Sequence, residues 1–244
     1  MDFTYEGYHN LLLLLRTHGY EIADYYNWNY KKRCVILRHD VDSDIGKALE
    51  MAHMEYDWEV KSTYFVLLTS DFYNVFSRSN CDKLHEILRC GHAIGLHFDE
   101  MNYPELNDDT EAICEKIQEE AELLGKVIGK PITTVSMHRP SRQILETDLR
   151  IPGIVNSYGQ IFFHEFKYLS DSRCHWREPV EEIIRSEQYE RLHILTHAFW
   201  YYKEERNFHD TVKEFVNRGN KDRYYTLSHN MTDFESVMKP EEVR

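Results

Sequence analysis

The residues best equipped for chemistry lie in Arg38-His39-Asp40-Val41-Asp42, where two carboxylates follow the apolar run Val35-Ile36-Leu37. The run reads as a buried strand, and residues two apart on a strand point to the same face. Asp40 and Asp42 therefore converge on one spot at the strand's carboxyl end, where parallel α/β folds build their sites. Two carboxylates so close call for a cation or a proton between them. That pairing suits a metal ligand beside an acid/base group. The competing reading is an Asp-rich loop in which Ser43 or Asp44 caps the next helix.

Other polar groups recur at equivalent places. His97 and Asp99 close a later strand-like run, His138-Arg139-Pro140 another, then Asp171 and finally His197. One histidine after a strand is ordinarily structural, but several such strand ends on one rim form a pattern. Imidazole and carboxylate together suit zinc or a similar divalent ion, with about three protein ligands and an open position. A nearby carboxylate can take a proton from water, and a histidine opposite can protonate a leaving amine. The chemistry indicated is hydrolysis of an amide or ester.

The elements that must position these groups alternate along the chain. Strand candidates are residues 34–38, 63–68, 92–96, 133–137, 153–156, 167–170 and 192–196. Helix candidates are 44–58, 81–89, 108–124, 180–187 and 208–218, with Asp108-Asp109 as an acidic start and Gly125 as the stop of the third. The acidic run from Glu111 to Glu122 reads as a solvated helix face. Leu11 to Leu15 reads as the buried part of a first helix ending near Gly19, too short to span a bilayer. No linker interrupts the 244 residues, so the expectation is one domain over 1–244, with a core at about 34–202 and terminal helices packed on it. Apolar strands alternating with helices predict a parallel sheet, either a barrel or a doubly wound sheet.

The bulk numbers narrow the function. A net charge of −13 argues against a nucleic-acid or anionic-membrane partner. Five cysteines without a Cys-x-x-Cys argue against a disulfide framework or a thiolate zinc site. Reduced thiols and the lack of a signal-like N-terminus lead to the expectation of a cytoplasmic protein.

Taken as a set, the motifs resemble the polysaccharide deacetylase family (NodB-like, carbohydrate esterase 4) over about residues 34–200. Arg38 to Asp42 resembles its first motif, and the strand Gly91 to His97 leads into the second. His138-Arg139-Pro140 is similar to the third, Asp171 to Trp176 to the fourth, and Leu195-Thr196-His197 to the fifth. The resemblance implies an irregular (β/α)7 barrel and removal of an N-acyl group from an amino sugar. It implies Asp40 as base, steadied by Arg139 or His138, and His197 as acid. Asp42 and His97 would hold a divalent metal such as zinc, and Asp171 and Trp176 would contact substrate; Trp200, just after His197, is a candidate to stack on a sugar face or to cover the barrel's mouth. Two departures stand out. Val41 separates aspartates that the family places side by side, and Met101 sits where a second metal histidine is usual. Methionine suits such an ion poorly, so His138 is the first choice for third ligand and Asp99 the second. Asn156, Tyr158 and Tyr168 are further candidates to line the site, whereas His92 and His193 read as structural. Two alternatives remain: a metal-independent amidohydrolase of the same fold, and a non-catalytic sugar- or partner-binding protein.

Overall fold

A computed structural model describes residues 1–106 and 109–243. Its centre is β2 (Cys34–Val41), all of whose residues are buried. A strand covered on both faces needs a sheet with layers on each side. β3 (Thr63–Leu67), β4 (Ala93–Phe98), β5 (Thr134–Met137) and β6 (Val155–Asn156) extend the sheet on one side of β2. β8 (Arg191–Thr196) and then β7 (Lys167–Ser170) extend it on the other. Every pairing is parallel. β6 and β7 end the order and do not pair, so the α/β sheet is a half-barrel, a (β/α)7 arrangement left open.

A short β1 (Glu21–Ala23), which the sequence did not reveal, pairs with Cys34–Ile36. It takes the place that β3, joining only at Arg38, leaves free. The strand expectations otherwise fall within a few residues of these bounds.

Side-chain alternation sorts β2 into two faces. Val35 and Leu37 turn outward onto α1 (Tyr5–Thr17) and α7 (Val180–Ser186), packing with Tyr8, Leu11, Leu12, Leu15 and Ile184. Cys34 and Ile36 turn inward with Phe65, Phe162 and Phe166. Arg38 and Asp40 continue that inner face toward the rim. Gly95 on β4 lets its neighbours pack closely: a Cβ there would lie 2.5 Å from Phe65 and 2.6 Å from Thr134 Oγ1.

A third cluster joins α2 (Ile45–Asp57), α3 (Arg78–Arg89) and α4 (Thr110–Ile128) to the outer face of β3, β4 and β5. Asp44 caps α2, accepting from the Gly46 and Lys47 amides at 2.8 and 3.2 Å. Asp109 caps α4 through the Glu111 and Ala112 amides, while the expected helix residue Asp108 lies outside the described residues.

Two expectations for α4 change. Gly125 is internal, and the helix ends at Gly129, whose φ of +68° suits a glycine stop. The acidic run is not wholly solvated either. Glu120 is buried, accepts a hydrogen bond from Tyr103, and burial raises its carboxyl to about 7. After β8 the chain forms α8 (Phe208–Asn230), longer than expected, with Thr211 and Tyr224 as its buried residues.

Candidate metal and catalytic site

Because the strands are parallel, their carboxyl ends share one rim. Asp40 and Asp42 come from the end of β2 and His97 from β4. His138 directly follows β5, Asp171 follows β7 and His197 follows β8. Asp40, Asp42, His97, His138, Arg139 and His197 line a cleft of about 540 Å³, with Tyr158, Phe163 and Tyr168 as an aromatic wall.

Three of these groups converge. Asp42 Oδ1 lies 3.2 Å from His97 Nε2 and 3.3 Å from His138 Nδ1, and the two imidazole nitrogens are 3.1 Å apart. A tetrahedral ion with bonds of about 2.0–2.1 Å separates its ligand atoms by about 3.3–3.4 Å, so the triad has the dimensions of such a ligand set. Asp42 Oδ1 is buried and has no well-aligned hydrogen-bond partner among the described residues, despite the two nearby nitrogens. The backbone carbonyl of Ser136 lies 3.3 Å from His97 Nδ1, which turns Nε2 toward the triad. The residues present therefore fit a divalent ion.

Burial alone would raise the Asp42 carboxyl, but the facing His138 and His97 imidazoles and the charge of His197 hold it well below the ordinary range. Burial opposes the His138 imidazolium, and the Asp42 carboxylate outweighs it, raising that group. Met101, at the position of the missing second histidine, is on the exposed turn after β4. His138, just after the neighbouring strand, offers the second nitrogen and third ligand atom of the triad instead.

Asp40 stands beside the triad, its Oδ2 3.6 Å from His97 Nε2. It is not held as expected. Arg139 reaches Asp99 instead, and His138 faces Asp42. Arg38, two residues earlier on the same face, donates to Asp40 Oδ2 at 2.7 Å and to Ser157 Oγ at 2.9 Å. Its guanidinium lies against the Phe65 and Tyr158 rings. Among the described residues Asp40 Oδ1 is buried without a hydrogen-bond partner, in a side chain that lines the cleft. Asp99, the second choice as metal ligand, pairs with Arg139 and caps the turn after β4 through the Met101 amide at 3.2 Å.

His197 faces the triad from β8, its Nε2 3.7 Å from Asp42 Oδ2. Its Nδ1 lies 2.6 Å from Asp171 Oδ1, and its backbone amide donates to the same carboxylate at 3.1 Å. Burial would lower the imidazolium, but Asp171 outweighs it and raises the group to about 9. Asp171 is fully buried and also accepts from the Tyr201 hydroxyl at 3.1 Å, so it cannot touch a substrate as expected. It orients His197 from behind.

Trp176 and Trp200 do not line the cleft. Trp176 packs into the cluster under α1, and Trp200 meets the Phe199 ring edge-on and lies tilted against Phe208. Tyr158 and Tyr168 do line it, whereas Asn156 is buried beneath. His193 is buried on the inner face against the Tyr25 hydroxyl at 2.8 Å, and His92 binds the Ala52 carbonyl at 2.9 Å. Arg38, Phe163, Ser172 and Arg177 escaped sequence reasoning. For Arg38 the signal was available: a charge two residues before Asp40 on the same strand face.

No family model matches the sequence, and no curated protein matches it. Solved structures do. The matches include carbohydrate esterase family 4 proteins, each at a TM-score below 0.5. A polysaccharide deacetylase from Bacillus cereus is 16% identical, over 78% of this chain and 88% of that one, with a TM-score of 0.45. A family 4 acetyl xylan esterase from Clostridium thermocellum, solved with a cobalt ion, is 15% identical over 67% and 73% at 0.44. A family 4 pseudoenzyme from Bacillus anthracis is 10% identical over 79% and 62% at 0.45. Likeness at this level does not assign an activity.

Proposed function

We propose that the protein is a metal-dependent hydrolase that removes an N-acyl group, acetyl being the simplest, from an amino-sugar substrate. The observation that carries this reading is the convergence of Asp42, His97 and His138 beside the free oxygen of Asp40, with His197 opposite. The motif resemblance supplies the substrate class, and the aromatic wall of Tyr158, Phe163 and Tyr168 suits the apolar face of a sugar ring.

Asp42, His97 and His138 would hold the ion, which supplies Lewis acidity toward an amide carbonyl and a water. Asp40, with Oδ2 fixed by Arg38, takes the water's proton on Oδ1 as the oxygen attacks the carbonyl carbon. His197 carries its proton at neutral pH, since Asp171 raises it to about 9. With Nδ1 committed to Asp171, its Nε2 faces the cleft and delivers that proton to the leaving nitrogen. The C–N bond then breaks, releasing a carboxylic acid and an amine. Asp171 fixes the tautomer and stabilises the imidazolium, as a buried aspartate does behind a catalytic histidine.

The test is acetate release from N-acetylglucosamine oligomers by purified protein after chelation and after re-addition of zinc or cobalt. Release that requires metal supports the reading. Release untouched by chelation selects the metal-independent amidohydrolase, and no release from any N-acyl sugar contradicts the proposal.

A further inference from the structure

We infer that the substrate carries an anionic group beside its amide, and that Arg177 receives it; this rests on the reading of the site as an amino-sugar deacylase. Arg177 lies on the loop after β7, the strand that pairs with His197's own strand, and it lines the same cleft. The loop is built to bring it back to the rim. Arg173 and Cys174 take left-handed conformations in succession, with φ of 60° and 55°. The chain thus doubles back, and the Arg177 amide donates to the Ser170 carbonyl at the end of β7, 3.3 Å away.

Arg139, which also lines the cleft, and the buried Arg38 behind Asp40 are both committed. Arg139 pairs with Asp99, and Arg38 is buried on Asp40 and Ser157. Glu178, the carboxylate next to Arg177, is paired with Lys167 at 2.6 Å. Among the described residues, the Arg177 guanidinium has neither an ion pair nor a hydrogen bond. In a chain with 42 acidic and 29 basic residues, an arginine left without a carboxylate at the mouth of a cleft is a poor match for a wholly neutral sugar. A planar guanidinium suits a phosphate or carboxylate, which it binds with paired donors. Arg177 and His197 line one cleft, so an anion held by Arg177 enters the same space as the leaving nitrogen. On a 2-acylamino sugar, the substituents flanking that nitrogen are those on C1 and C3.

The test compares N-acetylglucosamine, N-acetylglucosamine 1-phosphate and N-acetylmuramic acid, which carry no anion, a phosphate at C1 and a carboxylate at C3. Binding to the whole protein and to Arg177→Gln is measured calorimetrically, alongside acetate release. The expected result is that an anionic probe binds the wild type about tenfold more tightly than the neutral sugar. In Arg177→Gln that ratio falls to near one, and in the wild type it shrinks as salt is raised. Which probe gains identifies phosphate or carboxylate. Equal binding of all three probes, or a ratio that survives Arg177→Gln, overturns the inference. Acetate release from all three without an anionic advantage leaves the deacylase reading standing and removes this one. An Arg177-dependent advantage with no acetate release from any probe does the reverse.

Discussion

Asp40 and Arg38 form the pair on which the chemistry leans. Asp40→Asn and His197→Ala should each lower turnover by about 10²–10⁴-fold while the circular dichroism spectrum stays native. Near-normal turnover in either variant would remove that residue from its role. The Arg38–Asp40 pair is buried, so removing one partner strands the other's charge. Arg38→Met should cost about 3–5 kcal/mol of stability, and adding Asp40→Asn should restore part of it in a double-mutant cycle. Additive effects in urea denaturation would show the two charges to be uncoupled. At this scale, period-two alternation was enough to bring Asp40 and Asp42 together in the sequence. The partner of Asp40 was not legible, because a motif resemblance pointed to Arg139 or His138, whose reach to Asp99 and Asp42 depends on how the loop after β5 turns. Asp171 was legible as a rim residue, but its burial depends on Tyr201 and the amide of His197 closing around it.

Strands were read more accurately than helices. A buried parallel strand announces itself by a short apolar run, and β7 was located to the residue. β1 has three residues and carries no such run. In α4, Gly125 resembled a stop, yet the helix runs on to a buried Ile128 and stops at Gly129. The acidic run on α4 hid a buried carboxylate among solvated ones, since composition does not say which turn faces Tyr103. That carboxylate gives a signed pH dependence. Burial raises Glu120 from 4.5 to about 7, so its folded form prefers the proton. The associated stability is complete below pH 4.5 and is lost as pH rises through about 7. Glu120→Gln should therefore stabilise the protein at pH 8 by up to about 3 kcal/mol and change little near pH 4.5. Parallel stability curves for variant and wild type would refute this. Gly95→Ala should destabilise by about 1–3 kcal/mol, because Phe65 and Thr134 leave no room for a methyl group. An unchanged melting temperature would mean that the half-barrel yields there.

Over the whole molecule, the strand order does what local spacing cannot. It lays β5, β4, β3, β2 and β8 in one continuous sheet, so strand ends far apart in sequence meet at one rim. His39 and Thr196, 157 residues apart, are joined there by a hydrogen bond of 2.7 Å. The alternation of elements made a parallel α/β sheet legible, barrel or doubly wound, and the motif resemblance an irregular (β/α)7 barrel. That the break falls between β6 and β7 was not legible, since it depends on pairings that no single segment encodes. A ligand that binds only the folded state stabilises it, by about 2.7 kcal/mol at a hundredfold excess over Kd. Zinc should thus raise the melting temperature of chelated wild type but not of Asp42→Ala, and identical shifts in both would place the ion elsewhere. The central claim is that Asp42, His97 and His138 act as one ligand set. Calorimetric titration of zinc into the chelated protein tests it most directly. The account predicts one ion per chain, proton release on binding because the Asp42 carboxylate favours the protonated His138, and loss of that binding in His138→Ala. Absence of binding in the wild type, or equal affinity and stoichiometry in His138→Ala, would contradict it.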